Sequence, residues 1–136
     1  MQAQYVATGQ VRFGYVHFAF LGPESLWAGT ASECAAEQQK FWEYHDYLFE
    51  NWEGENQGTF SYDNLKRFAE ELGLDTAAFD VCLDSGRTEE LVQQDIEFAR
   101  QLGVRSTPTF AVNGKPVQGA LPFAQFQSLI EQELAQ

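Results

Sequence analysis

Residues Gly103–Gly114, GVRSTPTFAVNG, decide the fold class of this chain. An apolar run follows Thr107-Pro108 and ends at Asn113-Gly114. Asn-Gly is the strongest short signal for a β-hairpin, because a type I′ turn needs positive φ at both central residues. The stretch therefore predicts a hairpin with strands at Thr109–Val112 and Val117–Gln118.

Upstream of the hairpin, the stretch Val11–Phe20 (VRFGYVHFAF) is rich in β-branched and aromatic residues. Apolar residues fall on both of its faces, which is typical of a strand covered on both sides in an α/β sheet. We therefore predict a strand over Val11–Phe20. The residues before it, Gln2–Thr8, predict a short piece of helix that Gly9 ends.

The middle of the chain, from Pro23 to Leu102, has apolar residues at helical spacing. Ser61 and Asp75 are predicted to cap two of the helices there, since their side chains can accept from the first turn. One predicted helical face carries Phe41, Tyr44, His45, Leu48 and Phe49. A last helix is predicted near Pro122 to Leu134, with four residues inward: Phe123, Phe126, Ile130 and Leu134. The order helix end, strand, helical block, hairpin and helix predicts an α/β fold.

The formal net charge of −12 limits the partners of the chain. Nucleic-acid affinity comes largely from Lys and Arg, so we expect no nucleic acid and no anionic membrane as a partner. No apolar run comes near the length of a membrane-spanning helix, which is about 18 residues or more. The first residues, MQAQYVATGQVRF, lack the basic and apolar regions of a signal peptide. The chain as given is therefore expected to be cytoplasmic.

Four stretches together resemble the DsbA-like branch of the thioredoxin fold, the bacterial thiol:disulfide oxidoreductases. They cover nearly the whole chain and read GQVRFGYVHFAFLGPES, ASECAAEQQKFWEYHDYLF, FDVCLDSGR and LGVRSTPTFAVNGKPVQGA. The resemblance implies a single domain over residues 1–136, with an incomplete thioredoxin-like fold and a helical insertion at about 23–102. It implies unfolded or extended proteins as substrates. No cofactor and no metal are expected.

The catalytic motif of that family is missing from this sequence. Members of the family begin with a strand, a loop that carries Cys-x-x-Cys and a helix that this pair opens. MQAQYVATGQ resembles the end of that helix, and no Cys-x-x-Cys follows. A helix N-terminus and a second thiol lower the pKa of the attacking cysteine, and the second thiol resolves the mixed disulfide. We therefore expect an N-terminally truncated chain without catalytic residues, inactive in redox catalysis, and whether it is an enzyme stays open.

The two cysteines, Cys34 and Cys82, are each predicted inside a helix, on its apolar side. Burial of that kind raises the pKa of a thiol and blunts its reactivity. By the resemblance, they are candidates for a structural disulfide between two helices, which would stabilise by about 4 kcal/mol in the chain-entropy description. The alternative is two buried thiols that pack as small apolar groups. A disulfide is expected in an exported protein, and hence in the periplasm if a longer natural precursor exists.

Thr107 and Pro108 are the candidates for substrate binding. Pro108 resembles the family's cis-proline, whose neighbouring backbone binds extended peptide, while the alternative is a proline in a turn before a strand. His17 and His45 are interpreted as structural, because no metal-ligand spacing accompanies them. Asp95 could tune a thiol pair, but without that pair we expect it at the rim or in a hydrogen bond.

The missing segment of the family's fold leaves the quaternary structure and the function open. In the family's sheet a central strand separates Val11–Phe20 from Thr109–Val112, so its absence bares two strand edges. Either these strands pair directly or a second copy completes the sheet, and a homodimer is the preferred prediction. Two functions stand beside an inactive oxidoreductase. One is a non-catalytic peptide-binding or chaperone module, and the other is a glutathione-transferase kappa or chromene-carboxylate isomerase relative, which KFWEYHDYLF disfavours.

Overall fold

The structure of the protein is a computed structural model that describes residues 1–136. The chain divides into two compact units. One unit, the hairpin unit, consists of residues 1–16 and 100–136, and the other, the helical unit, consists of residues 17–99. None of the helices combines the length and the apolar character that crossing a bilayer requires.

The hairpin unit contains the predicted β-hairpin. Strand β1 (Thr109–Val112) pairs antiparallel with β2 (Lys115–Gln118), with Val112 opposite Lys115. Asn113 and Gly114 have φ angles of 47° and 81°. Both values are positive, as the type I′ turn requires, so the prediction from Asn-Gly is confirmed.

One π-helical segment (Gln2–Val6) and a C-terminal α-helix (Phe123–Leu134) complete the hairpin unit. Phe110 packs edge-on against Phe126, with ring centroids 4.7 Å apart, and Ile130 is buried. Phe123 and Leu134 are 43% and 48% exposed, so their predicted inward position is wrong. The sheet of this unit has two strands of four residues each.

The helical unit is built from five α-helices. They are α1 (Pro23–Ala36), α2 (Phe41–Glu50), α3 (Tyr62–Glu71), α4 (Thr76–Ser85) and α5 (Glu89–Gln101). The last two residues of α5 belong to the hairpin unit. The C-terminal helix of the hairpin unit is numbered α6. Both predicted N-caps are confirmed: Ser61 Oγ accepts from the N–H of Asn64, and Asp75 Oδ1 accepts from that of Ala78.

The core of the helical unit lies where α1, α2, α3 and α4 meet. Tyr44, Leu65, Phe79 and Leu83 are fully buried there. The hydroxyl of Tyr44 donates to the carbonyl of Leu65 over 2.8 Å, so this buried polar group is satisfied. Val92, Ile96 and Ala99, on one side of α5, are also buried.

The prediction of a strand over Val11–Phe20 is wrong: residues 11–20 have no regular secondary structure. The only sheet contains β1 and β2, so the direct pairing of this stretch with the hairpin is not formed either. A strand is stabilised by hydrogen bonds to a neighbouring strand, and none lies beside this stretch. The N–H of His17 instead donates to a side chain, Oδ2 of Asp95.

Candidate functional site

The predicted substrate-binding residues lie at the entrance to the hairpin. The peptide bond between Thr107 and Pro108 is cis, and both residues are exposed. The residues on either side hold this turn in place. The carbonyl of Pro108 accepts from the N–H of Gly119 over 2.9 Å, and the hydroxyl of Thr109 donates to the carbonyl of Ser106 over 2.7 Å.

The backbone of Thr107 makes no hydrogen bond within the protein. Its N–H and C=O are therefore an exposed donor and acceptor, next to a strand that has a neighbour on one side only. Extended peptides bind such edges through main-chain hydrogen bonds. The local geometry is thus suited to an extended polypeptide.

Cys34 and Cys82 lie far from solvent and are joined to each other in a disulfide. Each is 1% exposed, and no cysteine of the chain is free. The bond links α1 to α4. Thr88 closes one side of it, since its hydroxyl donates to the carbonyl of Thr30 and lies 3.5 Å from the Cys34 sulfur. A disulfide in this position cannot meet a protein substrate without local unfolding.

His17 is buried in the helical unit, where its ring lies edge-on to that of Phe41 with centroids 6.0 Å apart. Nε2 of its ring lies 2.7 Å from Oε1 of Glu33 in α1, and its backbone N–H donates to Asp95 in α5 over 2.9 Å. A side chain at Gly29 would place its Cβ 3.3 Å from Nδ1 of His17, so the close approach of this ring favours glycine there. His17 and Asp95 therefore tie the extended segment to two helices.

His45 lies on α2 and is not brought together with His17. Its Nδ1 is 2.9 Å from Oδ1 of Asp46, and its ring packs at a tilt of 47° against that of Phe49, with centroids 4.8 Å apart. No group of three or more His, Cys, Asp and Glu side chains could hold a metal ion. Each histidine ring has a carboxylate partner and an aromatic neighbour in the structure.

The ionisable groups with shifted pKa values belong to the scaffold. Burial raises the pKa of Tyr44. The hydrogen bond from Arg87 lowers the pKa of Glu37, and the hydrogen bond to Asp84 raises that of Lys66. Tyr44, Glu37 and Lys66 lie in the helical unit. The hairpin unit has shifted groups of its own, since the hydrogen bond from Tyr5 lowers the pKa of Glu131 and the hydrogen bond from Lys115 lowers the pKa of Glu133.

One surface feature departs from the helical pattern predicted for α2. Tyr44 and Leu48 are buried as expected, but Phe49 is 69% exposed. Trp52, just beyond the helix, is 56% exposed. The spacing of Trp42, His45, Phe49 and Trp52 in the sequence could have indicated this second, outward face.

The chain is similar to known proteins over most of its length. Residues 1–132 match the family described as Thioredoxin. The chain is 34% identical over 109 residues to the Na(+)/H(+) antiporter NhaA of Herminiimonas arsenicoxydans, which covers 80% of this chain and 17% of the antiporter. It is 26% identical over 137 residues to disulfide bond formation protein D of Bacillus subtilis, which covers 98% of this chain and 62% of that protein.

The fold is similar to two solved structures. Oxidised BdbD from Bacillus subtilis superposes with a TM-score of 0.89 at 25% identity, over 99% of this chain and 75% of that chain. A thioredoxin-like oxidoreductase from Silicibacter pomeroyi superposes with a TM-score of 0.78 at 25% identity, over 96% of this chain and 73% of that chain. The chain thus spans about a sixth of the antiporter and less than two thirds of the curated disulfide bond formation protein.

Proposed function

We propose, because this chain belongs to the thioredoxin family, that it is the folded scaffold of a DsbA-like thiol:disulfide oxidoreductase and does not itself turn over thiols. Its relatives and structural neighbours include DsbA-like disulfide oxidoreductases. The observation that carries the proposal is the state of the two cysteines. Cys34 and Cys82 form one disulfide that is buried between α1 and α4, so no reactive thiol reaches the surface.

Reduction of insulin by dithiothreitol tests this proposal. The purified 136-residue chain should leave the rate of insulin precipitation at that of dithiothreitol alone. A double variant, Cys34→Ala with Cys82→Ala, should give the same rate, provided that circular dichroism shows it folded. Acceleration by the chain that disappears in the double variant would overturn the proposal, because it would make the buried pair catalytic.

A second candidate function is the binding of unfolded or extended proteins without catalysis. The exposed Thr107-Pro108 turn supports it, since the N–H and C=O of Thr107 are not used within the protein. A fluorescently labelled, reduced and carboxymethylated polypeptide should bind, and Pro108→Ala should weaken the binding. Pro116→Ala is the matched control, because Pro116 is an exposed proline on β2 of the same hairpin. Equal binding by both variants would exclude this turn as the site.

The buried disulfide also bears on the compartment. Disulfides persist in oxidising compartments and are rare in the cytosol. We therefore propose that the chain works outside the cytosol, as part of a precursor that reaches the periplasm or another extracytoplasmic space. Alkylation of the protein in intact and lysed cells, with and without reductant, measures whether Cys34 and Cys82 are oxidised in place.

The exposed apolar residues of the segment 11–20 support a homodimer. Val16 and Phe20 are 46% and 45% exposed, although both are apolar. A stretch of extended, apolar chain is a ready edge for another strand. We propose that the corresponding segment of a second copy covers it.

A further inference from the structure

A row of aromatic residues along α2 and just beyond its C-terminal end has no role in the function proposed above. The row, called here the aromatic row, consists of Trp42, His45, Phe49 and Trp52. Spacings of three and four residues place Trp42, His45 and Phe49 along one side of α2, and Trp52 follows two residues after the end of the helix. The rings contact each other along the row: the centroids of Trp42 and His45 are 5.4 Å apart, and those of His45 and Phe49 are 4.8 Å apart.

One end of the aromatic row, Phe49 and Trp52, is exposed, whereas Trp42 and His45 are half-buried. Tyr44 and Leu48, on the other side of α2, fill the core, whereas Phe49 and Trp52 are 69% and 56% exposed. Neighbouring exposed aromatic side chains of this size are uncommon on monomeric proteins and mark interaction sites. Trp is also the residue that most often carries the binding energy of an interface.

A row of carboxylates runs beside the aromatic row. Each aromatic residue is followed directly by an acidic one, which gives an acidic row of four exposed residues: Glu43, Asp46, Glu50 and Glu53. Lys40 pairs with Glu43, and His45 lies against Asp46. Glu50 and Glu53 have no cationic partner in the protein. Two carboxylates next to Phe49 and Trp52 are therefore available to an outside cation.

The charge of the helical unit decides which partner fits this face. Residues 17–99 contain eighteen Asp and Glu against four Lys and Arg. A second copy would bring the same acidic row against this one, and like charges placed together disfavour the contact. Nucleic acids and anionic membranes are repelled for the same reason. A cationic partner is attracted, and its Lys or Arg side chains can lie over Trp and Phe rings while they face the carboxylates.

We propose that the aromatic row is a docking face for a basic amphipathic helix of a partner protein. The heptad-like spacing of the row suits a partner helix, whose apolar side chains would pack between the rings. Arg or Lys at the edge of that helix would meet Glu50 and Glu53. The helical part of the row, from Trp42 to Phe49, is about 10 Å long, which is about two turns of such a helix. The docking face lies in the helical unit and involves no thiol chemistry.

Two synthetic peptides test the proposal by fluorescence anisotropy with the full chain. Both have Leu at heptad positions a and d, and they differ only at the flanking positions, which hold Arg in one peptide and Glu in the other. The Arg peptide should bind, and its affinity should fall several-fold when the salt concentration rises from about 0.05 to about 0.3 M, because the charge contacts are screened. The Glu peptide should not bind.

Substitutions in the chain distinguish docking at this face from general attraction to an acidic protein. Phe49→Ala and Trp52→Ala should each lower the affinity for the Arg peptide at least about tenfold, because truncation of an aromatic residue at an interface commonly has an effect of this size. Phe123→Ala, an exposed aromatic residue of α6, is the matched control and should leave the affinity unchanged. Glu50→Gln with Glu53→Gln should reduce the salt dependence, whereas Glu89→Gln with Glu90→Gln should not.

Three outcomes would overturn the proposal. Equal binding of the two peptides would remove the charge preference. If Phe49→Ala and Phe123→Ala lose binding to the same extent, or if neither variant loses binding, the aromatic row is not the binding site. Sedimentation in which Phe49→Ala alone converts a dimer to a monomer, with no binding of the Arg peptide, would show that a second copy covers the row instead.

Discussion

The backbone N–H of His17 donates a hydrogen bond of 2.9 Å to Oδ2 of Asp95. Asp95 is half-buried on α5, and His17 belongs to the extended segment that has no strand neighbour. The ring of the same histidine meets Glu33 on α1. Asp95 therefore has the hydrogen-bonded position expected for it in the absence of a thiol pair, and it holds a backbone segment in place.

Removal of the Asp95 side chain should destabilise the protein. Asp95→Ala leaves the N–H of His17 without its acceptor, and a hydrogen bond to a charged group contributes about 1.5–3 kcal/mol. Asp95→Asn keeps a carbonyl oxygen in the same place and should lose less. Urea unfolding followed by tryptophan fluorescence measures both, with the exposed Gln94→Ala as control. Wild-type stability in Asp95→Ala would contradict the structural role.

Removal of the disulfide should cost more than any single hydrogen bond. Cys34 and Cys82 close a loop of 48 residues. In the chain-entropy description, which is disputed, this loop contributes about 4 kcal/mol to the free energy of unfolding. Denaturant unfolding of the Cys34→Ala, Cys82→Ala variant measures the loss. A difference below about 1 kcal/mol would mean that the link does not restrict the unfolded chain as that description requires.

Local signals in the sequence predicted most of the secondary structure. Asn113-Gly114 fixed the hairpin, because its turn geometry follows from those two residues alone. Ser61 and Asp75 fixed two helix starts for the same reason. The helices of the middle block could be predicted from the spacing of their apolar core residues alone.

Features that depend on distant neighbours could not be predicted in this way. Val11–Phe20 has the composition of a strand, but a strand also requires a partner, and no neighbouring strand supplies one. The contact of His17 with Asp95 joins residues 78 positions apart, and no pattern in the sequence specifies it. At the candidate site, the sequence indicated Thr107 and Pro108, but the free backbone of Thr107 follows only from the hydrogen bonds around it.

The buried hydroxyl of Tyr44 should make stability sensitive to high pH. Burial raises the pKa of Tyr44 in the folded protein, whereas in the unfolded chain tyrosine titrates near about pH 10. Below that pH the hydroxyl is protonated in both states. Above it only the unfolded chain ionises at this residue, so the free energy of unfolding should fall as pH rises, by up to about 1.4 kcal/mol per pH unit.

The variant Tyr44→Phe isolates this effect. At neutral pH it should lose about 1–2 kcal/mol, because the carbonyl of Leu65 loses its donor. Above about pH 10 its stability should fall less steeply than that of the wild type. Tyr47→Phe is the matched control, since the Tyr47 hydroxyl bonds to Glu71 at the surface. A pH dependence of Tyr44→Phe identical to that of the wild type would show that another group titrates in this range.

The apolar exposure of the segment 11–20 should make the protein a dimer in solution. Contact with a second copy would remove apolar surface of Val16 and Phe20 from water, which favours association. Sedimentation velocity at micromolar concentration should therefore give twice the chain mass. Val16→Asp should shift the equilibrium to the monomer, because it places a charge in the contact. Val81→Asp, at a 63% exposed valine of α4, should leave the dimer intact. A wild-type chain that sediments as a monomer at this concentration would rule out the dimer.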